Sequence, residues 1–122
     1  MALRIDAAKN KGRGVFAATR ISAGELIERA PVHVIPDRDW CHIEETLLLD
    51  YCFLWGDRSA IPFGKFLLYN HSYSPNALYV KRLDDRIIEM VALRDIEAGE
   101  EILINYNGDP GDDTPVWFEV KE

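Results

Sequence analysis

Two asparagines, a histidine, two serines and two tyrosines crowd the stretch Leu68-Tyr69-Asn70-His71-Ser72-Tyr73-Ser74-Pro75-Asn76-Ala77. It lies between an apolar run from Phe66 to Tyr69 and a strand-like run from Ala77 to Leu83. Asn, Ser and Pro form turns, and a polar loop whose His71 and Asn76 satisfy their own backbone is one reading. So many donors and acceptors hemmed in by apolar residues support another, the floor of a small-molecule site. A serine hydrolase does not fit, because adjacent His71 and Ser72 rarely make a nucleophile–base pair and no Gly-x-Ser-x-Gly elbow exists. Lys11-Gly12-Arg13-Gly14 is a second candidate, its glycines removing side chains where backbone must approach a ligand. A phosphate cradle is disfavoured there, since no helical pattern follows and Walker spacing is absent. A third candidate is Gly99-Glu100-Glu101-Ile102-Leu103-Ile104-Asn105-Tyr106, an apolar strand that ends on a phenol.

Cys41 and Cys52 form no Cys-x-x-Cys, so neither a zinc cluster nor a disulfide framework is supported and both read as buried free thiols. No metal is expected. A chain of 122 residues fits one domain spanning 1–122. With 48% hydrophobic and 29% charged residues, disorder and fibrous classes drop out. The net charge of -7 disfavours a nucleic-acid surface and favours basic partners such as lysine-rich tails. No apolar run is long enough for a membrane span, and Met1 to Asp6 lacks the form of a secretory signal. An intracellular location is expected, cytoplasmic in a prokaryote and nuclear or cytoplasmic otherwise.

The elements that must position these stretches show an internal repeat. Phe16 to Ile27 aligns without gaps on Val91 to Ile102, with identical pairs Ala17/Ala92, Ile21/Ile96, Ala23/Ala98, Gly24/Gly99, Glu25/Glu100 and Ile27/Ile102. Each copy reads as strand, glycine-closed turn, strand, and two related hairpins in one β domain follow. Between them, Ile27 to Ile35 with Pro31 and Pro36 predicts an edge strand. Asp37 or Asp39 is expected to cap a short helix through Glu45, with Trp40, Ile43 and Leu47 on one face. Tyr51 to Trp55 predicts a strand, and Ala60 to Phe63 another at an edge. Ala77 to Leu83 and Arg86 to Leu93 predict a hairpin around Asp84-Asp85. Val116-Trp117-Phe118 is an apolar tail that needs a docking place. The fold class is mainly β: short strands, small sheets and one or two short helices.

In order and spacing, the Gly-x-Gly at Gly12 and Gly14, the Asn-His-Ser-x-x-Pro-Asn from Asn70 to Asn76 and the Gly-Glu-Glu-x-x-x-x-Tyr from Gly99 to Tyr106 resemble SET-domain protein-lysine methyltransferases. The resemblance runs from about Leu3 to Phe118 and implies a β-clip fold with a C-terminal pseudoknot, an exception to unknotted topology. It implies S-adenosylmethionine as cofactor, S-adenosylhomocysteine as product and a lysine of a basic protein, such as a histone or histone-like protein, as acceptor. Lys11, Gly12, Arg13 and Gly14 would lie along the methionine end of the cofactor. Asn70 would meet its zwitterionic end, and His71 would contact adenine through backbone while its side chain pins the fold. Tyr106 would stand where amine and sulfonium methyl meet. Tyr51 fits the lysine channel or the core, and Trp117 fits the adenine, the channel or a plain plug. Asn105 and Tyr73 stand where many members of the family carry Asp and Cys, and the cysteine-rich zinc segment that completes the channel in many members is missing. The short tail, or a second copy in a homodimer, would complete it. A β-clip binding module without catalysis and a methyltransferase for a non-protein amine are the alternatives.

Overall fold

The computed structural model describes residues 3–9 and 11–120. Strands β1 (Leu3–Ala8) and β2 (Gly12–Ala17) form an antiparallel hairpin. A five-stranded sheet has the order β4-β5-β3-β8-β7, from β3 (Leu26–Val34), β4 (Phe53–Trp55), β5 (Arg58–Pro62), β7 (Ala77–Arg82) and β8 (Ile87–Ala92). The third sheet is a parallel pair, β6 (Asn70–His71) beside β9 (Leu103–Ile104). Helix α1 (Asp37–Ile43) and a 3-10 turn (Leu47–Tyr51) bridge β3 to β4. The mainly β class is as the sequence predicts.

The repeat builds the seam that closes the molecule. Ile21 and Ile96 exchange both backbone hydrogen bonds at 2.8 Å, the Gly24 and Gly99 N–H groups donate to Ala92 and Ala17, and the Ala17 and Ala92 N–H groups donate to Glu100 and Glu25. Each bond therefore has its mate in the other copy, an approximate two-fold. Within each turn the glutamate reaches back: Glu25 accepts the Ser22 N–H and Glu100 accepts the Glu97 N–H. The glycines close the turns at φ 80° and 88°, a region costly to residues with a Cβ. Ile21, Ile96, Ile102, Ile104 and Val15 lie wholly or almost wholly buried at this seam, continuous with Ile88 and Met90 from β8.

Several expectations are corrected. β3 is the central strand, not an edge, pairing with β8 along its first half and β5 along its second. Pro31 is tolerated because its backbone faces β5, where its carbonyl accepts the Phe63 N–H and the ladder starts only at Val32. β5 is flanked on both sides, and Pro62 is its last residue, beyond the stretch paired to β4. Neither aspartate caps α1, which begins after Pro36 without a side-chain cap; Thr46 caps the 3-10 turn instead, accepting the Leu48 N–H. Leu47 leaves the helix face and is 72% exposed. Tyr51 belongs to the 3-10 turn, and the strand begins at Phe53. The cysteines are unbridged but not buried: Cys41 is exposed and Cys52 half-buried. The hairpin from Ala77 turns at Leu83 to Arg86 as expected, with Ile88, Met90 and Ala92 on the core face. Glu89 is also buried, which its partners explain: it is held by both Arg29 and Arg82.

Candidate active site

Parallel pairing of β6 with β9 sets Asn70 beside Leu103 and His71 beside Ile104, so the middle and the rear of the chain meet. Asn76 locks that meeting. Its Nδ2 donates to the Glu101 carbonyl at 2.8 Å and its Oδ1 accepts the Leu103 N–H at 2.8 Å, with the residue 1% exposed. The polar stretch thus does brace backbone, and it is the rear strand that it braces. Past β9 the chain delivers Tyr106, whose backbone N–H donates to His71 Nδ1 at 3.0 Å. That bond requires an unprotonated Nδ1, which fixes the ring as an acceptor on this side. The His71 side chain therefore pins the fold, as one of its two expected roles holds.

The Tyr106 hydroxyl donates to the Tyr69 carbonyl at 2.6 Å. Its ring stacks on Trp117 at 5.8 Å between centroids and meets His71 and Phe118 edge-on. Burial, then the neighbouring Tyr51 and Glu101, push the phenol up to about 12, so it stays protonated at neutral pH. Tyr106 lies on the wall of a cavity of about 410 Å³ with Tyr51, Tyr69, Tyr79, Phe53 and Trp117. Tyr51, 39% exposed, reaches the cavity from the 3-10 turn. The tail docks here: Tyr73 hydroxyl donates to the Thr114 carbonyl and accepts the Val116 N–H, leaving Trp117 against Tyr106 with 61% of its surface open. Lys81 lines the same cavity with its ammonium 5.7 Å from the Tyr79 ring centroid, and burial lowers its pKa.

A polar cluster gathers around Asn70, next in the chain after Tyr69. Asn70 Nδ2 donates to the Arg13 carbonyl at 2.9 Å and to Glu101 Oε2 at 2.7 Å, and Lys11 Nζ lies 3.6 Å from Glu101 Oε1. Both ion-pair side chains are largely covered, at 15% and 14% exposure. The two glycines serve different ends. Gly12 has φ 77° with open space around it, whereas a Cβ on Gly14 would collide with Glu101 Oε2 and lie 2.9 Å from Asn70 Nδ2. Lys11, Gly12, Arg13, Gly14 and Asn70 are thus brought together, outside the lining of the aromatic cavity.

Sequence reasoning missed Glu101 and Lys81 at this site, while Tyr69 and Tyr79, lesser candidates beside Tyr51 in the sequence, both line the cavity. The repeat held the signal for Glu101: Glu100 has a counterpart in Glu25 and does the same turn work, but Glu101 stands opposite Leu26, where the first copy needs no charge. Among the described residues no group of three or more His, Cys, Asp or Glu could hold a metal ion, and no helix is long and apolar enough to cross a membrane.

The fold and motifs define a SET domain: residues 12–107 match the family model of that name, and the chain belongs to the family. The histone-lysine N-methyltransferase, H3 lysine-37 specific, of Schizosaccharomyces pombe is 33% identical over 119 residues, which cover 96% of this chain and 77% of that protein. A crystal structure of a candidate histone methyltransferase from Plasmodium falciparum matches with a TM-score of 0.70 at 28% identity, covering 88% of this chain and 99% of that one.

Proposed function

We propose that this SET domain is a protein-lysine N-methyltransferase that moves a methyl group from S-adenosylmethionine to the side-chain amine of a lysine in a basic protein of the histone type. The observation that carries the reading is the Tyr106 phenol, held at its backbone N–H by His71 and at its hydroxyl by the carbonyl of Tyr69, on the wall of an aromatic cavity, with the residue after Tyr69, Asn70, in a covered polar cluster. Family membership and the histone-lysine methyltransferase relative support it.

The donor set fits the cofactor. A zwitterionic amino-acid end needs a cation, an anion and amide groups side by side, and Lys11, Glu101 and Asn70 are such a set, with Glu101 and Asn70 packed where a side chain on Gly14 would intrude. When bound, S-adenosylmethionine supplies an electrophilic methyl on a sulfonium. The aromatic walls from Tyr51, Tyr79, Phe53 and Trp117 offer an aliphatic chain an apolar lining. Since its proton is given to the Tyr69 carbonyl, the Tyr106 oxygen offers lone pairs to an N–H of the incoming amine and so aims the nitrogen. The acceptor must arrive neutral. A free lysine at pH 7 is neutral in roughly one molecule in a few thousand, a cost of about 4.6 kcal/mol, and desolvation in an aromatic cavity reduces that cost by penalising the charged form. Lys81 on this same wall shows the effect, its pKa already lowered by burial.

The test pairs calorimetry with a transfer assay. Labelled S-adenosylmethionine and a histone H3 peptide should give methylated lysine, and Tyr106→Phe should abolish transfer while cofactor affinity stays within about threefold. Absence of cofactor binding would reduce the chain to a binding module, and transfer to small amines alone would move it to another substrate class.

A further inference from the structure

We propose that Glu28, on β3, is a positioning residue for the Tyr106 phenol, acting through Tyr69; the proposal rests on the methyl-transfer reading above. Glu28 Oε1 accepts the Tyr69 hydroxyl at 2.6 Å, and its Oε2 accepts the Lys65 backbone N–H at 2.9 Å. The other end of Tyr69 is its carbonyl, which accepts the Tyr106 hydroxyl at 2.6 Å. Tyr69 is 1% exposed and its ring packs edge-on against Phe66, so it behaves as a rigid strut anchored at both ends. A strut whose foot moves carries its head along, and the head here is the acceptor that orients the phenol.

A carboxylate suits the foot better than any neutral group. Two donors converge on its two oxygens, and an ionised carboxyl accepts both without a proton to place. A glutamine must turn an NH2 toward one of those donors. Gly64 confirms that the carboxylate has a reserved position, because a Cβ there would collide with Glu28 Oε2. Glu28 is half-buried, and both of its carboxylate oxygens are taken up by these two donors. Neither the Glu28 carboxylate nor the Tyr69 hydroxyl is needed to fill the cavity wall, whose aromatic surface the Tyr69 ring already supplies.

The chain with S-adenosylmethionine and a histone H3 peptide tests the strut through Glu28→Gln, Tyr69→Phe and the double variant. If Glu28 acts through the Tyr69 hydroxyl, each single change lowers kcat about tenfold with KM and cofactor affinity within about twofold, and the double is no worse than the worse single. A kcat for Glu28→Gln within about twofold of the parent, or losses that multiply in the double, overturns the proposal. A second readout needs no activity. With tyrosine labelled at Cζ, Glu28→Gln should move the carbon signals of both Tyr69 and Tyr106, and movement of Tyr69 alone overturns the link. Should Glu28→Gln fail to fold, the same spectrum of Tyr69→Phe decides by whether the Tyr106 signal moves. A parent protein that methylates no lysine peptide sinks the methyl-transfer reading, whereas the spectra still decide the strut.

Discussion

Tyr106 gives away its hydroxyl proton to the Tyr69 carbonyl, and that single bond settles which way its oxygen can act on an amine. With the phenol raised to about 12, no ionisation of Tyr106 intrudes between pH 7 and the alkaline range in which a lysine amine loses its proton. The neutral fraction of the acceptor grows tenfold per pH unit below its pKa. We therefore expect kcat/KM to climb from pH 7 to about 9.5 with a slope near one, without a falling limb from the tyrosine. A flat profile with intact protein would show that a step other than transfer limits the rate. At this scale the stretch holding Asn70 and His71 stood out because polar groups set among apolar runs are costly unless used, whereas Tyr106 was singled out by the resemblance its motif carries. Glu28 was not: it reads as the outward position of a strand, and its hydroxyl partner lies 41 residues away. Trp117 kept three readings in the sequence because a tail's docking place is a tertiary fact, and the coordinates set it against Tyr106.

Between residues and whole molecule stand the two glycines of the β1–β2 hairpin, which look equivalent in the chain and are not. Gly12 sits at a positive φ with nothing near a Cβ, so Gly12→Ala adds backbone strain of about 1 kcal/mol. In a domain of this size that lowers Tm by about 3–6 °C. Gly14 has no such backbone demand, but a methyl there meets the Glu101 carboxylate and the Asn70 amide. Gly14→Ala should weaken S-adenosylmethionine binding by about tenfold or more, with the larger effect on Kd and the smaller on Tm. Calorimetry and thermal unfolding of the two variants check the contrast, and equal losses of affinity would sink it. The elements themselves were readable where the pattern was local: the hairpin through Asp84-Asp85 and the glycine-closed turns of the repeat stand where the spacing put them. β3 was misread because proline marks an edge only if its missing N–H would have faced a partner, and facing is set by a neighbour far along the chain. The repeat was visible as sequence, but its use, each copy hydrogen-bonding the other across the seam, was not.

For the whole molecule the balance of charge decides how it fails in acid. At neutral pH the net charge of -7 repels itself, and falling pH relieves that repulsion toward the pI of about 4.9. The paired carboxylates act in the opposite sense and at lower pH. Glu89 is held below the usual carboxylate range by hydrogen bonds from Arg29 and then Arg82, tying β3 to β7 across β8. Asp95 is pulled down by the Ala23 N–H and then by Arg20, tying the two copies of the repeat at their seam. A carboxyl whose folded pKa is depressed stabilises the fold fully above its unfolded value, about 3.9 for Asp and 4.3 for Glu, and ceases to do so as pH falls through the folded value. The two effects occupy different windows, so Tm should hold or rise slightly from pH 7 to about 5 and fall steeply below about 4.3. Glu89→Gln and Asp95→Asn should each lower Tm at pH 7, where the ion pair is intact in the parent, and each should flatten the acid limb because the proton they would have taken up is already accounted for. Thermal unfolding of the parent and both variants from pH 7 to 3 measures this. Variants whose curves run parallel to the parent down to pH 3 would mean that neither carboxylate carries the acid sensitivity, leaving the seam to its backbone hydrogen bonds and the burial of Ile21 and Ile96.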